Sequence, residues 1–184
     1  MGLIEIFLTF HQGRGLPDQA IDRLFDELSP AQLRCRPHPA MNSVAWNVWH
    51  MARAEDIAVN RLVVDRAQVF DAGNWGQRTQ SGTRHHGSGM SDSEVTALSQ
   101  QIDLPALRSY YTAVRARTVA VVTTLTPAHL DEPLDAADPD SCDGLAYPGW
   151  TRGELLVHLA MTHTYGHIYE VCAICSVMGI SFWR

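Results

Sequence analysis

The chain has 184 residues, 46% of them hydrophobic and 18% charged, with a formal net charge of −6 when histidine is neutral, which suits a single domain over residues 1–184 with one sizeable core. All 14 basic residues are arginine, and without a basic stripe such an acidic chain is a poor partner for nucleic acid, whose phosphates need clustered cations. No run approaches the roughly 20 apolar residues that cross a bilayer, the apolar start carries Glu5 and lacks a basic lead, and four cysteines are too few for a disulfide scaffold, so a cytoplasmic protein without membrane contact is expected.

Apolar residues at helical spacing predict a helix from Leu3 to about Leu28, with Ile21, Leu24, Phe25 and Leu28 on one face. A break is expected at Gly13-Arg14-Gly15-Leu16-Pro17. Ser29-Pro30 opens a short helical turn, because proline is preorganised for a first helical position. A second long helix is predicted from near Ser43 to about Val64, with Asn42 or Ser43 as its N-cap. Residues 70–91 are rich in glycine and poor in apolar side chains, which predicts loop. Ser91 and Glu94 have capping-box spacing and start a helix to about Ile102. A third long helix follows from about Leu104 to Leu125, and Thr126-Pro127 repeats the serine–proline opening. Residues 131–149 predict an acidic, proline-containing loop. Thr151 and Glu154 form another capping-box pair at the head of a fourth long helix, which runs to about Met178 and stops at Gly179. Four long helices with sizeable connections predict an all-α four-helix bundle with short helices in its connections.

The fourth helix carries His163 and His167 in a stretch without charged residues. Each residue advances about 100° around a helix, so a four-residue step returns to nearly the same face one turn higher. Two imidazoles placed this way can share one metal ion. Glu170 projects from the same stripe, as a further ligand, a general base or an outer carboxylate that orients a ring, against the alternative of a solvated charge. His158 lies about 140° away from His163 and reads as a satisfied core or surface histidine outside the pair. Gly166 between the ligands fits either close backbone approach or helix packing. Cys172 and Cys175 point away from the histidine stripe and read as small apolar fillers. On the second helix, His50 has Asn47 and Arg53 three residues to either side. An amide and a guanidinium there would suit an anionic substrate. The alternative is a helix-surface ion pair among Arg53, Glu55 and Asp56.

The segment Ser43-Val44-Ala45-Trp46-Asn47-Val48-Trp49-His50-Met51-Ala52-Arg53-Ala54-Glu55-Asp56, with Gly149-Trp150-Thr151-Arg152-Gly153-Glu154 and Thr162-His163-Thr164-Tyr165-Gly166-His167, resembles the DinB-like superfamily. That family of metal-binding helical bundles includes thiol-dependent S-transferases and mycothiol-dependent maleylpyruvate isomerase. The resemblance runs over nearly the whole chain. It implies a divalent ion, zinc or nickel, held by His50, His163 and His167 with open coordination positions. It further implies a homodimer and an S-transferase or isomerase acting on a small-molecule substrate with a low-molecular-weight thiol such as mycothiol. In that reading Glu170, Asn47 and Arg53 are the candidate catalytic residues. Two other readings use the same ligands: a hydrolase with Glu170 as base, and a non-catalytic metal-binding or dimerising bundle.

Overall fold

The computed structural model describes residues 2–14, 17–134, 145 and 147–181. Cys142, Gly15, Leu16 and most of the acidic 131–149 stretch lie outside the described residues. Among those described, the chain is all-helical, and its one extended pairing is an isolated antiparallel bridge between Pro133 and Thr151.

Four rods make the bundle. The first is α1 (Leu3–Thr9), a π-helical turn (Phe10–Arg14) and α2 (Pro17–Glu27). The short α3 (Pro30–Arg34) follows, capped by the Ser29 hydroxyl accepting from the Gln32 amide. The second rod is α4 (Val44–Asp56), prolonged by π-helical residues Ile57–Val63. Ser43 caps it by accepting from the Trp46 amide at 2.9 Å. The expected loop at 70–91 is partly helical instead: α5 (Val69–Ala72) and α6 (Trp75–Thr79) occupy its first half. Phe70 and Trp75 are both buried and pack on Tyr110, so two aromatic anchors order a stretch whose glycines read as open chain. Then come α7 (Asp92–Gln101), the third rod α8 (Leu104–Val122) and the short α9 (Pro127–Asp131).

The fourth rod is not one uniform helix. It runs as α10 (Arg152–Val157), a π-helical turn (His158–Thr162) and α11 (His163–Val177). The i→i+5 bonding of a π turn is wider than an α turn, so it shifts the phase between the helices it joins. Residues before His163 therefore do not keep the angular relation to it that a uniform helix predicts.

The largest apolar cluster joins Ile21 and Leu24 of α2, Val48 and Trp49 of α4, Leu98 of α7, Leu107 and Val114 of α8, and Ile168 and Ile174 of α11. At its centre stands α4, every residue of which is buried. A helix hidden on all sides must find a partner for each charged side chain it carries, because an unpaired buried charge is costly. Asp56 accepts from the Val69 and Phe70 amides and from the Tyr110 hydroxyl, each at 2.8 Å. Glu55 meets His11 Nε2 at 2.8 Å and Arg115 Nη1 at 3.1 Å. The ion pair expected at the helix surface is instead buried: Arg53 and Asp56 stay 3.5 Å apart within α4, while Glu55 turns to His11 and Arg115 on other rods.

Candidate metal centre

α4 and α11 lie side by side, and their facing stripes bring His50, His163 and His167 together. One potential ligand atom from each ring lies within 4.8 Å of the others. The ring centroids are 4.9 Å apart for His50 and His163, 4.6 Å for His50 and His167, and 4.5 Å for His163 and His167. His50 Nε2 and His163 Nε2 face each other at 3.0 Å. Two imidazole nitrogens bound tetrahedrally to one zinc would sit about 3.3 Å apart, given Zn–N bonds of about 2.0–2.1 Å.

The far nitrogens of two rings are fixed from behind. His50 Nδ1 donates to the backbone carbonyl of His86. His167 Nδ1 lies 2.7 Å from Asn47 Oδ1 and 3.1 Å from Glu170 Oε2. Both bonds place the ring proton on Nδ1 and leave Nε2 with a lone pair turned inward. Trp46 covers one face of His50, stacked at 4.6 Å and 16°. His163 Nδ1 is buried without a hydrogen-bond partner, and its Nε2 points at a nitrogen that already holds a lone pair. A proton or a cation between the rings relieves that opposition. Burial, reinforced by the neighbouring imidazoles, lowers the His163 pKa to about 3. Burial also lowers that of His50 to about 4, against the His86 bond that works to raise it. Both rings are therefore neutral near pH 7, the state a metal ligand requires. Three inward nitrogens, two of them braced, fit a divalent ion.

Glu170 is not a solvated charge. Its carboxylate is half-buried and takes hydrogen bonds from Asn42 Nδ2 at 2.9 Å, from Asn47 Nδ2 at 3.4 Å and from His167. Burial works to raise its pKa, and these bonds outweigh burial and hold it below its ordinary value. Asn47 is fully buried and braced in turn by the Ser43 carbonyl at 3.0 Å. Arg53 is placed differently. Its fully buried guanidinium bonds the Arg84 carbonyl at 2.8 Å, Gln68 at 2.9 Å and Tyr110 at 3.1 Å. The structure brings Asn47 and Glu170 to the imidazoles and leaves Arg53 on the side of the 81–91 loop.

The secondary features resolve in the same way. The half-buried His158 packs its ring edge-on to Tyr147 and Trp150, at 5.5 and 5.1 Å. A Cβ at Gly166 would meet nothing within 4 Å, so neither close approach nor packing demands glycine there. Burial, then the neighbouring Cys172, pushes the Cys175 thiol up to about 11, as befits a packing residue. The bracing roles of His86 and Asn42 had no sequence signal. One works through a backbone carbonyl, and the other reaches across 128 residues of chain to Glu170.

Comparison with known proteins bears on the family and the fold. A model of the DinB superfamily matches residues 18–171. A crystal structure described as the conserved protein of locus from Enterococcus faecalis superposes with a TM-score of 0.72 at 16% identity, over 96% of this chain and 95% of that one. At that identity the likeness is one of fold. No curated protein matches the chain significantly.

Proposed function

Because this chain belongs to the DinB superfamily, we propose that it is a metal-dependent enzyme whose ion is held by His50, His163 and His167, with S-transfer or isomerisation from a low-molecular-weight thiol as its chemistry. The observation that carries the reading is the convergence of three imidazoles, two of them braced from behind, on one point. A divalent ion bound there would act as a Lewis acid that lowers the pKa of a coordinated thiol or water.

The protein's own residues set the stage for that chemistry. The His86 carbonyl and the Asn47 amide oxygen hold protons on Nδ1, which keeps the Nε2 lone pairs directed inward. Trp46 shields the His50 ring from water on one face. Glu170 serves best as the carboxylate that orients His167, since both its oxygens already accept hydrogen bonds. That engagement supports the thiol reading over hydrolysis with Glu170 as general base. Three protein ligands leave room for a cosubstrate. Exposed Leu3 and Phe10 on the first rod support homodimerisation.

Metal analysis of the purified chain tests the reading. One divalent ion per chain is expected in the native protein and none in His163→Ala. Absence of metal from native protein supplied with zinc and nickel would defeat it. Turnover that requires an added thiol then separates S-transfer from hydrolysis.

A further inference from the structure

We propose that His86 and Gly87 are positioning residues of the metal centre: the loop of residues 81–91 sets the tautomer and ring angle of His50, and tight metal binding depends on glycine at 87. The inference rests on the three-histidine reading above.

The bond that braces His50 is made to a backbone carbonyl, so it depends on where the loop sits and not on the side chain at 86. Two contacts seat the loop on α4. Arg53 Nε, three residues along α4 from His50, donates to the Arg84 carbonyl at 2.8 Å. Gly87, at φ +101, lies flat against two indoles. A Cβ there would stand 2.5 Å from Trp49 Cζ3, closer than carbon atoms tolerate, and 3.0 Å from Trp46 Cζ2, a contact that forces a shift of a few tenths of an ångström. Trp46 is also the ring that stacks on His50. One indole is thus both the floor beneath the loop and the wall beside the ligand. Any side chain at 87 must lift the loop or push the fully buried Trp49 and, with it, the neighbouring Trp46; lifting the loop breaks the His50–His86 bond, and moving Trp46 shifts the ring stacked on His50. Positive φ also disfavours every L-residue at that position. Loss of such an outer partner typically weakens metal binding about 10–100-fold.

Titration of Co²⁺ and Zn²⁺ into the full-length chain tests this, with Gly87→Ala set against the exposed neighbour Ser88→Ala. The expected result is that Ser88→Ala matches the native protein, while Gly87→Ala keeps its helical circular dichroism, binds about 10–100-fold more weakly and shows altered Co²⁺ d–d bands. Native protein that binds neither ion would sink the metal-centre reading itself. Tight native binding left unchanged by Gly87→Ala, or weakened equally by Ser88→Ala, would overturn the positioning role alone. Should Gly87→Ala fail to fold, the native chain decides. Coupling is reciprocal, so zinc must slow amide hydrogen exchange across residues 84–90, and exchange there that ignores zinc overturns the proposal.

Discussion

At His50 and His163 the cost of burying charge decides the protonation state. Their pKa values fall to about 4 and about 3, below the ordinary 6.5 or so of an exposed imidazole. Both are depressed, so as pH drops the unfolded chain takes up these protons before the folded chain does. Stability of the metal-free protein is therefore complete above about pH 6.5 and declines as pH falls from there towards the folded values. Glu55 extends the decline. Burial works to raise its pKa, but Arg115 and His11 hold it at about 2, so its contribution is lost between its ordinary value near 4.3 and that figure. Urea midpoints of metal-free protein should fall steadily from pH 7 to pH 5, and a flat profile would contradict the burial of the two imidazoles. The His163–His167 pair could be read from residue type and spacing, and His50 joined it through the resemblance of its segment to the family. Their supports could not, because a carbonyl has no letter in a sequence and Asn42 has no periodic relation to Glu170.

Helix ends were written plainly in the chain. Ser29, Ser43, Ser91, Thr126 and Thr151 all cap the helices they were expected to cap, since capping is local chemistry between near neighbours. The π-helical turns at Phe10–Arg14, Ile57–Val63 and His158–Thr162 have no such marker in residue type or spacing. Glycine shows the same division between local and tertiary causes. Gly166 sits exposed in α11 with open space where a Cβ would go. Gly166→Ala should stabilise the protein by roughly 0.5–1 kcal/mol, a rise in Tm of about 1–4 °C. Gly153 in α10 faces the Leu130 carbonyl oxygen, 3.1 Å from where a Cβ would stand. Gly153→Ala should cost about 1–3 kcal/mol by overpacking α10 against α9. Thermal melts of the two variants should move in opposite directions, and a shared sign would undo the argument.

For the molecule as a whole, an ion held by His50, His163 and His167 would be a fastener between the second and fourth rods. A ligand that binds only the folded state stabilises it by mass action, by about 2.7 kcal/mol at a free concentration 100 times its Kd. Zinc or nickel should raise Tm by roughly 5–10 °C and a chelator should reverse the change, given about 2–4 °C per kcal/mol at this size. A melt indifferent to both would mean that the two rods are not joined through metal. The bundle architecture was readable from four long apolar repeats and the turns between them. What could not be read was which rod stands in the middle, because the polar letters of α4 imitate a solvent-facing helix until their partners on other rods are known. That central placement has a consequence for how the sequence can drift. A helix at the edge of a bundle offers selection a stripe of inexpensive positions, one every third or fourth codon. Val44–Asp56 offers none, so thirteen consecutive codons are constrained together, and the segment changes over generations as a block or hardly at all.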